Sequence, residues 1–332
     1  CSGIYAQTET KAAYTHADTV RGSISPERSW WNVLKYDLTV KPDFDSRTIS
    51  GTTIIQFSVV KAGTVMQIDL QNPLEIDSIQ IGNTIKKNRS IKELFTYTNY
   101  NKPFKKVFNS YFLDVSGRLT GKIAALKIYY HGKPKSAANP PWDGGWIWKK
   151  DKNGNPWMSV ACQGTGASIW YPCKDHQSDE PDSGAILRII VSENLSGIGN
   201  GILKEKKTVS PGLTSYTWEV KNPINNYCIV PYIGKYVNFN EVYKGEKGNL
   251  DMNYWVLDYN LEKAKKQFAD APRMMKALEY WFGPYPFYKD GYKLVESPHL
   301  GMEHQSAIAY GNGYINGYRG TDLSKSGWGL KW

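Results

Sequence analysis

Leu34-Lys35-Tyr36-Asp37-Leu38-Thr39-Val40 is the stretch that decides the fold class. Apolar side chains alternate with polar ones, the period of a strand with one face in a core and one in water. Pro42-Asp43-Phe44-Asp45 supplies a turn. Working outward, the same kind of run recurs at 49–60, 64–70, 74–81, 111–115, 125–130, 185–191, 214–220 and 227–233. Short strands divided by Gly, Pro and Asn signals predict a mainly β, antiparallel sandwich or saddle. Asn153-Gly154 is a hairpin turn signal inside a Pro-, Gly- and Trp-rich insertion at 134–157.

Composition agrees. The chain has 332 residues, enough for two domains. Aromatics reach 14%, with 12 Trp and 23 Tyr, which favours strands. No apolar run approaches the ~18–20 residues of a membrane span. The net charge of +10 comes from scattered lysines. The clusters Lys86-Lys87-Asn88-Arg89 and Lys204-Glu205-Lys206-Lys207 sit in no nucleic-acid module, so they read as solvated surface. Nucleic acid is not expected as a partner. Oligomeric state has no sequence signal.

The first residues, Cys1-Ser2-Gly3-Ile4-Tyr5-Ala6-Gln7, look like the end of a secretory signal. Export from a bacterial cell, to the periplasm or beyond, is the expected localisation. A lipid-bearing Cys1 and an arbitrary start are the alternatives. Residues 1–28 are read as signal remnant and flexible lead-in. Cys162, Cys173 and Cys228 have no metal spacing and are expected as buried thiols, with a Cys162–Cys173 disulfide as the alternative.

Near residue 245 the period changes. Leu261, Ala264, Phe268, Met275, Leu278, Tyr280 and Trp281 follow a helical repeat through 261–282. Pro272 either kinks this helix or opens a second one. Gly283-Pro284-Tyr285-Pro286 stops it. Strand 292–296 and a Gly- and Ser-rich tail follow. The expected division is a β domain at 29–245 and, at 246–332, the start of an incomplete α+β domain.

Three stretches carry candidate chemistry. Trp142, Trp146 and Trp148 would either wedge a hairpin onto the core or form a glycan-stacking surface. Asp175, His176, Asp179 and Glu180 fit no zinc or calcium spacing, and capping of backbone N–H groups is the expected role. Pro298-His299-Leu300-Gly301-Met302-Glu303-His304-Gln305-Ser306 lies between two strand segments. A carboxylate there needs a partner or water.

Read together, these stretches resemble the aminopeptidase N family of zinc peptidases, which includes the leukotriene hydrolases. Leu300-Gly301-Met302-Glu303-His304 is similar to its G-[AG]-M-E-N exopeptidase motif. Gln163, ahead of Pro172-Cys173-Lys174-Asp175, resembles its Gln/Glu followed by P-C-x-D. Phe282-Gly283-Pro284-Tyr285-Pro286 resembles its F-G-x-Y-P helix end, and Tyr36-Asp37-Leu38 its opening strand. The order and spacing agree over roughly 30–332. Leu300 stands for the first glycine and His304 for the asparagine.

The resemblance implies a thermolysin-like second domain, and peptides with a free N-terminal amine as partners. Glu303 would pair with that amine and Gln163 would reach the same group. Gly301 and Met302 would bind the peptide backbone by strand addition, with Gly301 letting it come close. His304 would be a neighbour without an assigned role. The family's zinc is held by H-E-x-x-H and a later Glu. No H-E-x-x-H occurs in this chain. Its zinc ligands are expected beyond Trp332, so the chain alone is expected to be inactive, without catalytic or metal-binding residues of its own. The parent protein is expected to be an active aminopeptidase. A catalytically dead peptide-binding relative is the alternative, followed by a glycan-binding sandwich.

Overall fold

The computed structural model describes residues 13–84 and 95–325. The expectations placed on Cys1 to Gln7, on Lys86-Lys87-Asn88-Arg89 and on the last residues to Trp332 lie outside them. The fold is mainly β. An eight-stranded sheet runs, edge to edge, through Ile202–Ser210, Leu213–Val220, Ala185–Ser192, Trp31–Asp43, Thr48–Val59, Ile123–Gly132, Glu75–Thr84 and Phe95–Asn99. The pairings are antiparallel, as expected, with one exception. Trp31–Asp43 runs parallel to Ala185–Ser192, Tyr36 opposite Ala185. A parallel neighbour needs a long crossover, and the chain between these two strands builds all of one further sheet and two strands of another.

Those sheets form the second layer. One contains Val65–Asp69, Ser110–Asp114 and Lys105–Val107; the other runs Ser196–Ile198, Tyr232–Gly234, Pro156–Ala161 and Gly145–Lys150. Their inward side chains, among them Met66, Ile68, Leu113, Trp146 and Val160, share one core with Phe57, Leu126 and Ile128 of the large sheet. The expected hairpin is present, with Gly145–Lys150 and Pro156–Ala161 paired across the Asn153-Gly154 turn. Its Trp146 is buried and stacks on Trp148 with 5.3 Å between ring centroids, which leaves Trp142 as the exposed member of the three. The wedge is therefore what Trp146 provides, and the three indoles do not share a sugar-stacking face.

Residues 16–29 differ from the expected flexible lead-in. They form helices α1 (His16–Gly22) and α2 (Pro26–Ser29). Thr15 and Asp18 make a reciprocal capping box on α1. Arg28 is fully buried and meets Asp69 at 2.5 Å. Asp69 also accepts from Gln67 Nε2 at 2.8 Å and Ser110 Oγ at 2.7 Å, and its Oδ2 takes the Asp175 N–H at 3.1 Å. A buried guanidinium is tolerated because it is paired, and that pair fastens the segment to the β layers.

A last sheet, Tyr236–Gly245, Gly248–Leu257, Tyr292–Glu296 and Ile308–Tyr310, packs on α3 (Leu261–Phe268) and α4 (Ala271–Phe282). Pro272 lies in the first turn of α4, where its missing N–H costs nothing, so it opens a second helix instead of kinking one. Its core has its own members: Met252, Tyr254, Phe268, Met275 and Tyr292. The two parts are tied by buried polar contacts. Asp290, fully buried, accepts from Lys221 N at 2.6 Å and Asn222 Nδ2 at 2.6 Å. Lys293 donates to the Gly201 carbonyl and sits over the Trp218 ring.

Candidate substrate-end pocket

Two loops from distant parts of the chain meet in one pocket. The first leaves strand Pro156–Ala161 and turns back on itself. Thr165 and Gly166 donate to Cys162 O at 3.0 and 2.8 Å. Gly166 has φ +81, and a Cβ there would meet Asp175 Oδ2 at 2.3 Å, so this position needs glycine. Asp175 accepts from Ala167 N at 3.2 Å, Ser168 N at 3.1 Å and Ser168 Oγ at 2.6 Å. This is the capping role expected from sequence. Burial raises its pKa, opposed by those hydrogen bonds. The turn leaves Gln163 exposed at its tip.

The second loop is 297–307. Met302 makes an isolated antiparallel bridge with Ala309, donating at 3.3 Å and accepting at 3.0 Å. Met302 thus spends its backbone groups inside the chain. By the alternation of an antiparallel pair, Gly301 and Glu303 direct theirs away from Ala309. A Cβ on Gly301 would meet Ala309 O at 3.1 Å, so the close approach at this glycine is to its own neighbouring strand. The β domain holds the loop from the other side: Asn200 Nδ2 donates to Gln305 O at 2.6 Å, and Gly201 N to Ser306 Oγ at 2.8 Å.

Glu303 is exposed and its Oε1 accepts from Tyr227 OH at 3.0 Å. Burial, with smaller contributions from Cys228 and Glu303, raises the Tyr227 pKa far above the ordinary phenol value, so Tyr227 stays a neutral donor. Gln163, Glu303, Tyr227, Asp175 and Arg21 line one cavity of about 580 Å³. Arg21 donates to Gly164 O at 2.9 Å, so helix α1 forms one wall. The structure therefore brings Gln163 and Glu303 together. Tyr227 and Arg21 were missed from sequence, where neither lies in a recognisable motif.

His304 points the other way. It is fully buried, with Nδ1 at 2.6 Å from Tyr232 OH. Burial, assisted by His299, lowers its pKa to about 3. In the unfolded chain a histidine titrates near 6.5. The folded state therefore binds fewer protons between those values, and stability falls as pH drops from about 6.5 toward 3. Urea midpoints of this chain at pH 7, 6, 5 and 4 are expected to decline, with this residue contributing ~1.4 kcal/mol per pH unit. His304→Asn is expected to flatten the slope, and an unchanged slope would show that another group governs it.

Among the described residues, no group of three or more His, Cys, Asp or Glu is placed to hold a metal ion. The residues present do not fit a zinc site. Cys162, Cys173 and Cys228 are buried free thiols. No helix among the described residues is long and apolar enough to cross a membrane.

Residues 32–228 match the Peptidase M1 N-terminal domain. No curated protein sequence matches the chain. Among solved structures, a variant of an M1 zinc metallopeptidase from Deinococcus radiodurans superposes with a TM-score of 0.67 at 17% identity, over 87% of this chain and 62% of its own. The same bacterial protein in complex with a tyrosine–serine–alanine substrate gives a TM-score of 0.67 at 17% identity over 86% and 61%. Its structure without that variant gives 0.66 at 17% over 85% and 60%. At this identity the likeness is one of fold. The chain spans about three fifths of the length of these proteins.

Proposed function

This chain belongs to the M1 peptidase family through its N-terminal domain, and on that premise we propose that the whole protein is a zinc aminopeptidase in which Glu303 and Gln163 hold the substrate's α-amine. The observation that carries the reading is their convergence: two polar residues from separate loops line one pocket. A free α-amine has a pKa of ~7.7–8.0, so much of it is cationic near neutrality. An exposed carboxylate oriented by Tyr227 OH selects that cation. The unspent backbone groups of Gly301 and Glu303 suit strand addition by the peptide.

Zinc would supply the activated water and polarise the scissile carbonyl. No step of hydrolysis is assigned to this chain's residues. Their part is to bind one chain end and fix the register of the bond to be cut. A β domain at 29–245 followed by the opening of a catalytic domain at 246–332 belongs to the same reading. The separate core around Phe268 supports that division. The pairing of Tyr236–Gly245 with Gly248–Leu257 carries the change of sheet back to about residue 235. Export of the protein belongs to the same proposal.

The whole protein with one equivalent of zinc is expected to hydrolyse leucine p-nitroanilide, and to lose that activity on chelation. A folded, zinc-loaded protein without turnover would favour an inactive peptide-binding relative.

A further inference from the structure

Helix α1 lies outside the matched family domain, which begins at residue 32, and yet it borders the pocket of Gln163 and Glu303. Asp18, Arg21 and Gly22 line that cavity from α1. The core sets the helix in place there. A helix ends in carbonyls that have no partner within the helix. Here buried side chains take them. Gln67 Nε2 donates to Val20 O at 3.0 Å, and Arg28 Nη1 donates to Arg21 O at 2.7 Å and to Ser23 O at 2.9 Å. Arg28 also pairs with Asp69, and Asp69 Oδ2 takes the Asp175 N–H. One buried ion pair therefore fixes both α1 and the turn that carries Gln163.

That turn has a firm limb and a loose one. On the firm side Thr165 N and Gly166 N donate to Cys162 O, and Gln71 Nε2 donates to Thr165 O at 2.5 Å. Asp175 caps the residues that follow. On the loose side is Gly164, at φ +67, where an added Cβ would find nothing within 4 Å. Packing does not hold this limb, and glycine adds no restriction of its own. Among the described residues, the hydrogen bond that reaches it comes from Arg21 Nη2, at 2.9 Å from Gly164 O. Gln163 is the next residue, exposed at the tip.

Arg21 is a cation at a pocket read as taking a cation. Asp18 lies three residues earlier, on the same face of α1, and lines the same cavity, so it offsets that charge. What the guanidinium adds is a donor held at a fixed point by a fixed helix.

We infer that Arg21 is a positioning residue for amine recognition: by holding the Gly164 carbonyl it aims Gln163 at the amine bound by Glu303, so that α1, which precedes the family's domain, belongs to the substrate site. The inference rests on the amine reading above.

The test measures KM and kcat for leucyl-glycyl-glycine on the whole zinc-loaded protein, unaltered and as Arg21→Ala, Arg21→Lys, Gln163→Ala, Glu303→Ala and the Arg21→Ala/Gln163→Ala pair. Arg21 is exposed and α1 is anchored through Arg28 and Gln67, so the urea midpoint of Arg21→Ala is expected to stay unchanged. Its KM is expected to rise roughly fivefold, the worth of one hydrogen bond, with kcat little changed. Arg21→Lys keeps a donor and is expected to recover part of the loss. With Gln163→Ala already present, Arg21→Ala is expected to add nothing, because the two act as a unit. An equal rise in both backgrounds, or no rise in either, would overturn the positioning role and leave the amine reading standing. A fall in KM, the mark of a cation that repels the substrate amine, would overturn it as well. Kinetics unchanged by both Gln163→Ala and Glu303→Ala would overturn the amine reading and this inference with it.

Discussion

Arg28→Met is expected to destabilise this chain by ~3–5 kcal/mol, the cost of leaving a buried charge unpaired. Asp69 is 4% exposed and meets the guanidinium at 2.5 Å. Gln67 and Ser110 would still donate to Asp69, but neither carries a compensating charge. The effect should reach the pocket as well, because Asp69 Oδ2 accepts from Asp175 N and Asp175 caps the turn that carries Gln163. Urea unfolding measures the first part. A loss below ~1 kcal/mol would mean that water replaces the guanidinium, and that residues 16–29 are not fastened in the way described.

Glu303→Ala in the whole protein is expected to lower kcat/KM for peptides with a free amine by roughly 10- to 100-fold, the range of one charge-assisted contact. The fold should be unaffected. Glu303 is exposed, and its one described partner, Tyr227 OH, regains water when the carboxylate is removed. Gln163→Ala should have a smaller effect, since a neutral amide gives a weaker hydrogen bond to the same cation.

Much of the fold was legible because burial is one-sided. Tyr36, Leu38 and Val40 face the core and their neighbours face out, so a period of two is written into the residues. Where both faces meet water, the signal fades. Ile202–Ser210 is an edge strand with Lys204, Glu205, Lys206 and Lys207 exposed in succession, and its residues give no alternation. Such charge on an edge discourages pairing with another chain. The two N-terminal helices had local signals that went unread: Thr15 three residues before Asp18 as a capping box, and Pro26 after Ser25 as a helix start.

The site was legible in part and for a different reason. Gln163 and Glu303 stand out through motifs that resemble a known family, and the fold sets them on one cavity. Tyr227 and Arg21 become neighbours of that cavity only through tertiary structure. His304, adjacent to Glu303 in sequence, turns into the core because successive residues of an extended segment face opposite sides.

The central claim is that Glu303 recognises a charged chain end. The most direct measurement is the binding of leucyl-glycyl-glycine and of its N-acetylated form to the zinc-free whole protein, unaltered and as Glu303→Ala, by calorimetry. The unaltered protein is expected to prefer the free amine by at least about tenfold, and Glu303→Ala to remove most of that preference while its affinity for the acetylated peptide changes little. Equal preference for the free amine in both proteins would contradict the claim and place amine recognition elsewhere.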